Sequence, residues 1–156
     1  MSVDVGAVAP DFTLMNQDRQ PVTLSALRGQ PVVLAFFPAA FSSVCTVELC
    51  TFRDQLAQLK RANAQVFGIS VDTFFTLKAF QTHEGLTFSL LSDFNKDVIR
   101  QYGVVNPDMI GLKDISKRAV FVVDAQGKVR HREVLEDARN EPDYAKVYAV
   151  LDALGR

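Results

Sequence analysis

Seven residues, Pro31-Val32-Val33-Leu34-Ala35-Phe36-Phe37, constrain the fold of this chain more than any other stretch. The run carries no charge and is rich in β-branched and aromatic side chains. That composition suits a strand covered on both faces, which in turn requires helices on both sides of a sheet. A loop led by Pro38 follows, and then a helical pattern. Ser42 or Ser43 stands where an N-cap belongs, and Cys45, Leu49, Phe52, Leu56 and Leu59 recur at helical spacing along one face. Lys60 and Arg61 fall at the far end, where the helix dipole favours cations.

The rest of the chain supports the same architecture. Residues 9–14 and 21–24 predict a short antiparallel hairpin around the polar Asn16-Gln17-Asp18-Arg19. A strand is expected over 65–71, a helix over 73–82, a short strand over 88–91 and a short helix over 96–102. An irregular stretch is expected over 106–117. Residues 119–124 and 128–135, joined by Ala125-Gln126-Gly127, read as a hairpin, and a helix over 142–154 closes the pattern. Strands alternating with helices, then a late hairpin, predict an α/β fold with a central mixed sheet flanked by helices. No repeat or linker divides residues 1–156, so a single domain is expected.

Composition removes several function classes. The net charge is −1 and both signs are scattered, which argues against a nucleic-acid or acidic-membrane surface. No apolar run nears the roughly 20 residues that span a bilayer. The opening Met1-Ser2-Val3-Asp4-Val5 does not resemble a signal peptide, so a cytoplasmic location is expected. In a reducing compartment two cysteines are poor candidates for a structural bridge, and their chemistry becomes the question.

Cys45 is placed to be reactive. It falls in the first turn of a helix that follows the carboxyl end of a buried strand, where open α/β sheets bind ligands. Unpaired N–H groups and the positive end of the dipole stabilise a thiolate there, and such positions lower a cysteine pKa from about 8.5 to roughly 4–7. Cys45 also lies on the apolar stripe with Leu49 and Phe52, so position alone equally allows a buried structural thiol. Its neighbours carry the same double meaning. Pro38 either walls the thiolate from water or simply ends a strand. Ser42 either holds a peroxide oxygen or caps the helix by accepting from the Cys45 N–H, and one hydroxyl can do both. Arg118, at the mouth of the strand over 119–123, either stabilises a thiolate and a leaving oxygen or is a solvated strand end. Glu48 either orients that arginine or is a surface acid in an early helical turn. Cys45 and Cys50 with His83 and His131 make a weak metal set, because Cys-x4-Cys misses the usual ligand spacing. His131 is expected exposed on a strand and His83 at a helix terminus.

Together these residues resemble the peroxiredoxins. The family's Pro-x-x-x-Thr/Ser-x-x-Cys signature is matched by Pro38, Ser42 and Cys45, and its distant arginine by Arg118 in Lys117-Arg118-Ala119-Val120-Phe121. The likeness starts at Gly6-Ala7-Val8-Ala9-Pro10-Asp11-Phe12 and runs through Phe67-Gly68-Ile69-Ser70-Val71-Asp72 and Leu90-Leu91-Ser92-Asp93. It implies a thioredoxin-like fold with an N-terminal hairpin extension and a hydroperoxide substrate attacked by Cys45. Cys45-Thr46-Val47-Glu48-Leu49-Cys50 is similar to the bacterioferritin-comigratory, or Q, type, in which the second cysteine resolves the first. Pro38-Ala39-Ala40-Phe41-Ser42 and Phe88-Ser89-Leu90-Leu91-Ser92-Asp93-Phe94 are closer to the one-cysteine E type. The resemblance implies a thioredoxin-like or glutaredoxin-like reductant and no metal, haem or flavin cofactor. It implies a homodimer built through the loops around the site, where Phe41, Phe74 and Phe75 pack, and is nearly as compatible with a monomer.

A Cys45–Cys50 disulfide carries a geometric demand. Residues five apart on an ideal helix stand about 7.5 Å apart along the axis and about 140° around it, with Cα atoms ~8.6 Å apart. That exceeds the roughly 7 Å limit for a disulfide, so the helix start must open for the bond to form. In this reading Cys50 shares its face with Asp54, Ala57 and Arg61, away from Cys45. The rival cycles are a one-cysteine peroxidase resolved by an external thiol and a redox sensor that signals through its disulfide.

Overall fold

The computed structural model describes residues 3–55, 60 and 62–154. In chain order its elements are β1 (Thr13–Asn16), β2 (Pro21–Thr23), a 3-10 turn (Leu24–Leu27), β3 (Val32–Phe36) and α1 (Ser43–Asp54). There follow β4 (Gln65–Ser70), α2 (Phe74–Glu84), β5 (Ser89–Ser92), α3 (Asp97–Gln101), β6 (Val105–Met109), β7 (Leu112–Ser116), β8 (Arg118–Val123), β9 (Val129–Leu135) and α4 (Tyr144–Leu154). Leu56, Ala57, Leu59 and Arg61, which the helical stripe and its face include, lie outside the described residues.

Seven strands form one mixed sheet in the order β2-β1-β5-β4-β3-β8-β9. β3 pairs parallel with β4 and antiparallel with β8, so it is central, as its unbroken apolar composition requires. Its side chains alternate between two cores. Val32, Leu34 and Phe36 pack with Tyr102 and Phe121 on one face. Val33, Ala35 and Phe37 pack with Cys45, Leu49 and Phe52 of α1, Phe80 of α2 and Leu151 of α4 on the other. Gly68 on β4 serves this second core: a Cβ there would meet Leu90 Cδ2 at 2.7 Å and Phe37 Cε1 at 3.1 Å.

The stretch expected to be irregular over 106–117 is instead the separate hairpin β6–β7. Met109 pairs with Leu112, and the two residues between them, Ile110 and Gly111, have φ of 49° and 89°. Two consecutive positive φ values are the signature of the tight hairpin turn that Gly favours. The non-glycine Ile110 masks that signal in the sequence. The ordered turn leaves its side chain 92% exposed.

Candidate active site

Strand register brings the distant parts of the site together. Phe36 of β3 pairs with Ala119 of β8, so Arg118 lies one step further, beside Phe37 at the carboxyl end of β3. The alternation that places Val120 and Val122 in the core beneath α1 also turns Arg118 toward that helix. The loop after β3 is held from β4's end. The Ala40 N–H donates to Asp72 Oδ2 at 2.8 Å, and the Ser70 hydroxyl donates to the same oxygen at 2.7 Å. Phe41 adopts φ 69°, a left-handed conformation costly for a bulky residue, with its ring centroid 5.1 Å from that of Phe80.

Ser42 is the N-cap residue, and Cys45 is therefore the third residue of α1. The serine does not cap the helix with its side chain. Its hydroxyl donates to the Ala39 carbonyl at 2.9 Å, tightening the loop, and its backbone oxygen receives the Thr46 N–H and hydroxyl. The first-turn N–H groups of α1 thus keep their positive end facing the Cys45 region.

Arg118 is 2% exposed and meets four acceptor contacts. Nη2 donates to Cys45 Sγ at 3.2 Å and to the Ala138 carbonyl at 2.9 Å; Nε also donates to Ala138, at 3.1 Å; Nη1 donates to Glu48 Oε1 at 2.8 Å. A guanidinium has five N–H groups, so one on Nη1 remains for an incoming oxygen. Burial opposes the arginine's charge, but the charges of Glu48 and Cys45 outweigh it and raise its pKa. Glu48 is fully buried, not a surface acid. Burial pushes its carboxyl up to about 7, against the pull of Arg118, and Glu133 and Glu141 add to the rise. Its Oε2 has no hydrogen-bond partner among the described residues.

Cys45 has no exposed surface. Above it opens a pocket of about 780 Å³ lined by Pro38, Ser42 and Val44, by Met109 and Ile110 of the β6–β7 hairpin, by Arg118, and by the loop over 136–139. Arg118 and Ser42 line this pocket, whereas Cys45 lies just beneath its wall. The structure thus gathers Pro38, Ser42, Cys45, Glu48 and Arg118, and leaves Cys50 apart, half-buried near α2 with a free thiol. Two supports of the site, Asp72 and the Ala138 carbonyl, have no place in the sequence signature. Asp72 was legible as a polar residue just past β4, whereas the Ala138 carbonyl has no side-chain signal at all. His83 sits in the last turn of α2, exposed. His131 is not exposed: it is half-buried, burial lowers its pKa, and its Nε2 has no partner among the described residues. Among the described residues no three His, Cys, Asp or Glu side chains form a metal cage, and no helix is long and apolar enough to cross a membrane.

Comparison with known proteins identifies the family and the fold. Residues 5–132 match the model of the AhpC/TSA family. The chain is 39% identical to alkyl hydroperoxide reductase E of Mycobacterium tuberculosis over 97% of its own length and 99% of that protein's. It is 41% identical to chloroplastic peroxiredoxin Q of Triticum aestivum over 83% of its length, and that match spans 58% of the wheat protein. The fold superposes on the crystal structure of peroxidoxin BcpB from M. tuberculosis with a TM-score of 0.87 at 33% identity, covering 97% and 98% of the two chains. Family model, relatives and fold agree: the chain belongs to the AhpC/TSA family, the peroxiredoxins.

Proposed function

We propose that this peroxidase reduces hydrogen peroxide and organic hydroperoxides at Cys45, resolves the product with Cys50, and is returned to the dithiol by a thioredoxin-like or glutaredoxin-like protein. The observation that carries the reading is the buried Arg118 Nη2 at 3.2 Å from Cys45 Sγ. An arginine so placed stabilises negative charge on the sulfur and, through its remaining N–H, on the departing oxygen. The Cys45 thiolate attacks the distal peroxide oxygen, the O–O bond breaks, and the leaving oxygen takes a proton to become water or an alcohol. Cys45 is left as a sulfenic acid. Cys50 condenses with it to a disulfide, releasing water, and the reductant opens that bond through a mixed disulfide. Such a cycle suits a reducing compartment such as the cytoplasm.

Mass spectrometry of the reduced protein after one equivalent of peroxide tests the resolving step. Loss of two hydrogens is expected for the internal disulfide. Retained added oxygen would instead assign the one-cysteine cycle. Steady-state turnover with a panel of protein and small-molecule thiols then identifies the reductant, and failure to turn over with any of them would favour a sensor.

A further inference from the structure

Cys50 has a partner on another helix. Its Sγ donates to Glu84 Oε2 at 3.6 Å, which joins the middle of α1 to the last residue of α2. Glu84 is itself fixed: its backbone carbonyl accepts from Arg53 Nη1, and its Oε1 lies 3.1 Å from His83 Nδ1. The charged groups facing the Cys50 thiol are therefore Arg53 and Asp54 on its own helix and Glu84 on α2. Burial pushes this thiol up, Arg53 opposes the shift, and the Glu84 contact adds to it. The proton on the Cys50 sulfur must leave as that sulfur attacks, and the acceptor it points to is Glu84 Oε2.

The same contacts decide which end of α1 yields. The Cys50–Arg53 end is tied to α2 twice through Glu84. The Cys45 end follows the loop from Pro38 to Ser42; of its two ties to Arg118, the one at Cys45 runs through the sulfur that peroxide oxidises, and the other lies one turn on at Glu48. Opening the helix from its start frees Cys45 to move and leaves Cys50 beside Glu84.

We propose that Glu84 is the general base of the resolving step. The proposal rests on the reading that Cys50 resolves Cys45. Glu84 Oε2 takes the proton from Cys50 Sγ as the sulfur's electron pair attacks the sulfur of the Cys45 sulfenic acid. The S–S bond forms, the S–O bond breaks, and the departing hydroxide takes up a proton to leave as water. The Cys50 sulfur is oxidised by one unit and the Cys45 sulfur reduced by one, so no further oxidant enters. Glu84 keeps about a fifth of its side chain exposed, through which the captured proton passes to solvent.

Rapid mixing with one equivalent of hydrogen peroxide, acid quenching and mass spectrometry follow both steps: gain of oxygen at Cys45, then loss of water to the disulfide. In Glu84→Gln the second step is expected to slow at least about tenfold relative to wild type at neutral pH, the low side of what a general base contributes. The deficit should close as pH rises until the Cys50 thiol ionises unaided, which a merely structural fault would not do. Equal second-step rates at neutral pH, or a deficit unchanged at every pH, would overturn the role of Glu84 while leaving the disulfide standing. Wild-type protein that keeps its added oxygen and never forms the disulfide would instead overturn the resolving role of Cys50, and Glu84's role with it.

Discussion

Glu48 Oε1 and Arg118 Nη1 meet at 2.8 Å, with the two side chains 0% and 2% exposed and 70 positions apart in the chain. An ion pair this deep costs desolvation on both sides, so it is poor evidence for stability and better evidence for positioning. Here it fixes the arginine plane so that Nη2 points at Cys45 Sγ.

Replacing Arg118 with Met keeps most of its bulk and deletes the charge and the donors. The peroxide reaction at Cys45 should slow at least about a hundredfold, comparable to losing one oxyanion-hole donor. Stopped-flow mixing with hydrogen peroxide measures it, and an unchanged rate would remove Arg118 from the site.

The Glu48 carboxyl gives stability a pH signature. Its folded pKa, about 7, lies above its ordinary 4.5. Between those values the folded state holds more protons than the unfolded one, so stability falls as pH rises, by about 1.4 kcal/mol per unit if Glu48 acted alone. The contribution is fully present below about 4.5 and gone above about 7. Urea unfolding of wild type and Glu48→Gln at a series of pH values should show the decline in wild type and its absence in the variant. Parallel curves would mean that Glu48 stays ionised throughout.

Ser42 lines the pocket while its hydroxyl hydrogen is committed to the Ala39 carbonyl, which leaves its lone pairs to accept from the O–H of a hydroperoxide. Ser42→Thr retains that acceptor and Ser42→Val, of similar volume, does not. The threonine variant should react with peroxide much faster than the valine variant. Equal rates would reduce the hydroxyl to a loop tie.

Disulfide formation should melt the start of α1. Amide exchange over residues 44–52 is expected to rise sharply when wild type is oxidised and to stay low in Cys50→Ser. Oxidised wild type with these amides still protected and both thiols free would favour the one-cysteine cycle.

Much of this is legible in the sequence. The composition of β3 announced a central strand, and the Pro38, Ser42, Cys45 spacing announced the loop and helix that follow it, because each depends on residues close in sequence. Arg118 was legible as the residue before an apolar strand. Its aim was not, since that depends on β8 pairing antiparallel with β3 in a register that puts Ala119 opposite Phe36.

What the sequence determined by itself was local: alternation, helical spacing, a cysteine in a first turn, and an acid one turn later. Only the tertiary structure decided which of two plausible meanings each residue took. Glu48 became a buried partner because β8 delivers a guanidinium to it, Ser42 tied its loop instead of its helix because Ala39 lies within reach, and Cys50 acquired a carboxylate because α2 ends against α1. Side-chain chemistry is written in the residue, but charge state and contact depend on what the fold brings within a few ångströms, and no local pattern carries a distance across 34 or 70 residues of chain.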